Sequence, residues 1–139
     1  MSKPIQVSLR AGERVYINGA VIRVDRKATL ELMNDVVFLL ESHVLQPEDT
    51  TTPLRQLYFI LQSILMDPGN AGAVTTLFRN VHASTAASFS NAAVLAGLKT
   101  VSELVEAGRI FEGLRTIRGL FETEDAILGT ASADGTRAA

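Results

Sequence analysis

Arg10, Arg14, Tyr16, Arg23, Arg26 and Lys27 crowd into one short stretch near the start of the chain, and they are the residues whose types and spacing could do chemistry together. Arginines beside an aromatic ring on an exposed strand face can hold phosphates and stack a base, a kit suited to unpaired nucleic acid. The rest of the chain offers little of this kind. His43 and His82 each stand apart from other metal-ligating residue types, so no metal site is expected. There is no cysteine, which excludes disulfides, thiolate catalysis and sulfur-ligated zinc. No glycine-rich phosphate loop follows a strand pattern, and no serine sits in a strand-turn-helix elbow. Ser84, Ser88 and Ser90 belong to an alanine-rich run and read as helix-surface or cap residues. Glu48-Asp49 is a carboxylate pair with no base or cation beside it and reads as a solvated turn. The expectation is a protein that is not an enzyme, with no catalytic residues and no cofactor.

The element that must position the basic cluster is a hairpin. Asn18-Gly19 lies between two runs of β-branched and apolar residues, and both residue types tolerate the positive φ that a two-residue type I′ turn requires. Residues 13–17 and 20–24 therefore read as antiparallel strands. The turn sets Ile17 against Ala20, Tyr16 against Val21, Val15 against Ile22 and Arg14 against Arg23. Side chains alternate across a strand. Val15, Ile17, Ala20, Ile22 and Val24 thus share an apolar face, and Arg14, Tyr16, Val21 and Arg23 share the other. Like charges directly opposite in a ladder are destabilising. Either the Arg14–Arg23 pair awaits an anion, or Glu31 or Asp25 neutralises it.

Composition sets the frame. The chain has 139 residues, 47% of them hydrophobic and 20% charged, which suits one packed domain, or a small subdomain with a helical partner. There is no Trp, so aliphatic side chains must fill the core. A net charge of −2 argues against a binder held to nucleic acid by bulk charge, and DNA is not an expected partner. The charge is uneven, however. Residues 1–27 carry six basic residues against two acidic, whereas 28–51 carry five acidic and no basic. The N-terminus shows no signal-peptide core, and no run approaches the ~18 apolar residues of a membrane span. A cytoplasmic protein without a membrane partner is expected.

Around the hairpin, residues 4–10 alternate as a first strand. Ala28 to Met33 alternates again, with Leu30 and Leu32 inward and Thr29, Glu31 and Met33 outward. Residues 36–40 form a buried run, and 43–46 are candidates to continue the sheet. Residues 30–45 also fit a single helix; strands are the preferred reading. The Pro-rich, Thr-rich stretch 46–53 separates the halves, with Thr52 as N-cap and Pro53 as first helical residue. Leu54, Leu57, Tyr58, Leu61, Ile64 and Leu65 form a helical stripe. Val74, Leu77, Phe78 and Val81 form a second. Val94, Leu98, Val101 and Val105 form a third, which Gly108 bends or breaks before Ile110, Leu114, Ile117 and Phe121 continue it. The predicted architecture is α+β: an antiparallel sheet of four to six strands in 1–47, a bundle of three to four helices in 52–128, and a disordered tail in 129–139.

Two strings carry a resemblance. Leu9 to Lys27, and Thr52 to Phe59 with Met66-Asp67-Pro68, closely resemble the FlbT family of flagellar biosynthesis regulators, over about residues 5 to 125. The resemblance implies a cytoplasmic post-transcriptional regulator that associates with the 5′ leader of flagellin mRNA, in most members promoting its decay, and that works alongside a second small regulator, FlaF. It brings no catalytic residues. Arg10-Ala11-Gly12-Glu13 and the strands after it are also similar to the opening of the CsrA family of leader-binding proteins, which are small β-sheet dimers. The expected function is binding of the flagellin mRNA leader by Arg10, Arg14, Tyr16, Arg23, Arg26 and Lys27. The rival reading is a protein-interaction module whose apolar helical seam binds FlaF, flagellin or a second copy of the chain, with an indirect effect on the mRNA.

Overall fold

The computed structural model describes residues 5–135 except Gly19, Asp35 and Val37, with side-chain surroundings described through residue 129. The strands come first: β1 (Ile5–Leu9), β2 (Arg14–Ile17), β3 (Ala20–Arg23), β4 (Ala28–Leu32) and β5 (Phe38–Leu40). They form two small sheets rather than one. β1 pairs with β4 antiparallel, from Ile5 opposite Leu32 to Leu9 opposite Ala28. The β2–β3 hairpin lies between them in sequence but leaves that sheet, and a three-stranded sheet forms in the order β3-β2-β5. Thr29 and Glu31 are exposed while Leu30 and Leu32 turn inward, as alternation requires.

The three-stranded sheet is the middle layer. Val15 on β2, with Phe38 and Leu40 on β5, packs against Val7 and Leu9 of β1 and Leu30 and Leu32 of β4. On its other face, Leu39 belongs to the main helical core and Tyr16 packs against it. β3 carries the ladder beyond this cover, and all four of its residues are exposed.

Residues 43–46 do not continue the sheet. Glu41–His43 is a 3₁₀ turn, and the extended backbone after it is satisfied by a side chain instead of a strand. Gln62 accepts the Leu45 N–H through Oε1 (3.0 Å) and donates from Nε2 to the Leu45 carbonyl (2.7 Å). A second 3₁₀ turn, Pro47–Asp49, places Asp49 Oδ2 to accept the Gln46 N–H at 2.9 Å.

Among the described residues five helices follow: α1 (Pro53–Met66), α2 (Ala71–Ser88), α3 (Ala92–Glu106), α4 (Ile110–Arg118) and α5 (Phe121–Gly135). The stretch 92–128 is cut twice. Gly108, at φ +78°, ends α3, and the chain breaks again after Gly119. α5 runs to Gly135, into the stretch expected to be a disordered tail; residues 136–139 lie outside the described residues. Thr52 caps α1, its Oγ1 accepting the Arg55 N–H at 3.3 Å, and Asn91 caps α3 the same way at 3.0 Å to Val94. The seam Val94, Leu98, Val101, Val105, Leu114 and Ile117 is buried within the chain. It packs onto Leu57 and Leu61 of α1, so it is core and not an open interaction face. The small residues have a packing role: a Cβ on Gly113 would stand 3.2 Å from Leu61 Cδ2, so α4 approaches α1 closely there.

Candidate nucleic-acid interface

The hairpin forms in the register that its turn dictates, with Ile17 opposite Ala20 and Arg14 opposite Arg23. Asn18 has φ +53°, the left-handed conformation its short polar side chain tolerates. Below the ladder, Gly12 donates its N–H to the Val24 carbonyl (2.7 Å) and Val24 donates to the Glu13 carbonyl (3.3 Å). Gly12 sits at φ +82° to make that turn. The Arg14 N–H donates to Glu41 Oε1 at 2.7 Å, which ties the start of β2 to the 3₁₀ turn. The two guanidinium groups are therefore placed by backbone pairing, not by contacts of their own.

Arg10, Arg14, Arg23, Arg26 and Lys27 are all exposed. Arg10 Nε lies 4.0 Å from Glu13 Oε1 and Arg26 Nε lies 3.4 Å from Asp25 Oδ1. Pairs so open to solvent hold their cations weakly. Among the described residues, Arg14, Arg23 and Lys27 are in no ion pair. Neither residue that was a candidate to neutralise the arginine rung does so. Glu31 stands on β4, in the other sheet, where its Oε2 accepts from Gln6 Nε2 at 3.4 Å; Asp25 turns to Arg26.

Tyr16 differs from its expected role. It shares the arginines' face, but that face turns inward toward β5, where Tyr16 stands opposite Leu39 and packs half-buried against the main core. It is not a free stacking platform. The side chain exposed beside the arginines is Val21, at 59%. The surface is a cationic, aliphatic strand edge suited to phosphate contact more than to base stacking.

Two polar clusters that the sequence reading did not anticipate hold the frame behind it. Glu124 of α5 is fully buried at the N-terminus of α1. Its Oε1 accepts from Thr52 Oγ1 (2.5 Å) and Arg55 Nη1 (3.2 Å), and its Oε2 accepts from the Leu54 N–H (2.8 Å). A carboxylate there meets unsatisfied N–H groups and the positive end of the helix dipole. Arg55 also grips Asp125 with two bonds (2.8 and 3.1 Å) and lies 4.5 Å from the Phe121 ring centroid. The Arg55 hydrogen bond holds the Asp125 carboxyl below its usual range. In the second cluster, Tyr58 donates its hydroxyl to the His43 carbonyl (2.6 Å) and accepts from Arg118 Nη1 (3.0 Å). Burial raises the Tyr58 phenol; burial, then the charge of Arg118, lowers the His43 imidazole. The Thr52 cap was visible as a motif, but its bond to a glutamate 72 positions away had no local signal. His82 is a structural residue, its Nε2 2.7 Å from the Leu98 carbonyl. Among the described residues, no group of three or more His, Asp or Glu is placed to hold a metal ion, and no helix is long and apolar enough to cross a membrane.

The family model for the flagellar protein FlbT matches residues 5–128. A probable flagellum biosynthesis repressor protein FlbT from Rhizobium johnstonii is 55% identical over 128 residues, covering 92% of this chain and 86% of that protein. Proteins of the same name from Chelativorans sp. and Brucella anthropi are 52% and 53% identical, each over 92% of this chain and over 88% and 84% of their own lengths. No solved structure matches the chain.

Proposed function

The chain belongs to the FlbT family of flagellar proteins, and we propose that it represses flagellum biosynthesis by binding the 5′ leader of flagellin mRNA through the hairpin face. The regulatory half of this reading follows its relatives, which are named as probable repressors of flagellum biosynthesis. The observation that carries the RNA half is the Arg14–Arg23 rung: two exposed cations directly opposite on paired strands, in no ion pair among the described residues. Such a pair costs stability without an anion and gains when a phosphate sits between its members. Arg10, Arg26 and Lys27 extend the same charge around the hairpin base and track a backbone rather than one point. Tyr16 stays in the fold as the packing link between hairpin and helices.

Repression would come from occupancy, by blocking translation or exposing the leader to cleavage, with no nucleolytic step on this chain. The test is binding of the purified protein to a labelled flagellin leader across a salt series. Affinity that falls steeply with salt, and falls again on removal of the arginine rung, is the expected result. Binding indifferent to both defeats the reading.

A further inference from the structure

A second surface lies where the sheets meet α4. Phe38 and Leu40 of β5 and Phe111 of α4 form the apolar part of an open cleft of about 330 Å³, with Ile5 of β1 at one end. The Phe38 and Phe111 rings stand 5.4 Å apart between centroids, and Ile5 is 38% exposed, so the described residues leave an apolar surface uncovered. The other lining residues are His43, Arg115 and Arg118. Among the described residues, neither arginine is in an ion pair and no acidic residue lines the cleft. Glu112, near Arg115 on the far side of α4, is held by Arg109 through two bonds of 2.5 and 2.6 Å. Arg118, which lines the cleft, is steadied by its 3.0 Å bond to the Tyr58 hydroxyl, so one of its nitrogens is fixed in place.

We propose that this cleft docks a partner protein, through an acidic segment that seats one bulky apolar side chain against Phe38 and Phe111 and sets a neighbouring carboxylate on Arg115 and Arg118. Charge decides the sign of the partner: two arginines, with no acidic residue lining the cleft among the described residues, select an anion. Arg118 also acts on the His43 imidazole, which burial first and the Arg118 charge second hold below its usual value. Shape decides the kind of partner. The cleft is large enough for one side chain but open along its mouth, and small-molecule sites bury most of their ligand. A free small molecule would remain largely in water, whereas a protein segment covers the mouth with its own backbone and flanks. An aromatic floor with arginines at its edge is also the composition of interface hot spots. The inference stands apart from the RNA reading, which uses the hairpin.

The probe is a random peptide library selected on the full chain, with Arg115→Glu as counter-selection. Arg115 is exposed, and circular dichroism of the variant checks that it folds. The expected winners carry Leu or Phe beside Asp or Glu. They bind the Arg115→Glu protein at least tenfold more weakly and shift the amide resonances of Leu40 and Phe111. No enrichment, basic winners, or peptides that bind the variant equally would overturn the proposal. So would a loss of leader RNA binding in Arg115→Glu that Arg14→Ala/Arg23→Ala does not share, since that makes the cleft an RNA site.

Discussion

Replacing both members of the arginine rung, Arg14→Ala/Arg23→Ala, separates binding from folding unusually well. Both side chains are exposed and in no ion pair among the described residues, and the bond that anchors β2, from the Arg14 N–H to Glu41 Oε1, belongs to the backbone and survives the change. Relief of like-charge repulsion across the rung favours the fold, so the melting temperature should hold or rise. RNA affinity should move the other way. For single strands each neutralised phosphate contributes about −0.7 to the slope of log K against log salt. Losing two contacts should flatten the slope by about 1.4 and weaken binding at 0.1 M salt by about 25-fold, or ~1.9 kcal/mol. Fluorescence anisotropy on a labelled leader at four or five salt concentrations reads both quantities. Arg14→Lys/Arg23→Lys should keep the slope while losing any bidentate gain. A double alanine variant that folds and retains both slope and affinity refutes the hairpin as the RNA surface.

The frame behind the hairpin makes separate predictions. Glu124→Ala leaves Thr52, the Leu54 N–H and Arg55 without their buried acceptor and should cost about 3 kcal/mol by denaturant titration. Asp125→Asn, on the exposed side of the same arginine, should change stability little by comparison. The His43 imidazole titrates lower in the folded protein than in the unfolded chain, so the unfolded state binds more protons between the two pKa values. Its contribution is therefore complete above the unfolded value of about 6.5 and is lost as pH falls below it, and His43→Gln should flatten the stability profile between pH 7 and 5. Gly12→Ala meets no atom within 4 Å but must hold φ +82°, so its penalty, ~1–2 kcal/mol by thermal or chemical melts, reports backbone strain alone.

Local signals account for what could be read from the chain in advance. Asn18 and the flanking β-branched residues specify a register, and every predicted pair of that hairpin is present. Thr52-Pro53 starts α1, and its stripe of Leu54, Leu57, Tyr58 and Leu61 is buried. Where the reading departs from the structure, a distant partner decides. The backbone after the 3₁₀ turn is extended at Val44 and Gln46 as a strand would be, yet the partner of Leu45 is the side chain of Gln62 on a helix, which no periodicity within 43–46 reveals. The split into two sheets has the same origin. β1 pairs with β4 across the whole hairpin, which sets Val7 and Leu9 beside Leu30 and Leu32 on one face, covered by Val15, Phe38 and Leu40.

The candidate binding surface shows the same limit more sharply. Alternation correctly placed Tyr16 on the face of Arg14 and Arg23, but alternation says which side of a strand a residue takes, not what lies on that side. β5 joins β2 on the edge opposite β3, and Leu39 brings the helical core with it. One sheet face is thereby divided: covered at Tyr16, bare at Val21 and Arg23. The arginine rung stays accessible because β3 is an edge strand that extends past the helices. The same β5 that buries Tyr16 turns Phe38 and Leu40 toward α4. Three consecutive residues of one short strand thus set the limits of the hairpin surface and floor the cleft beside Arg115 and Arg118. A substitution in β5 should disturb both surfaces together, whereas changes at Arg14 or at Arg115 should each disturb one.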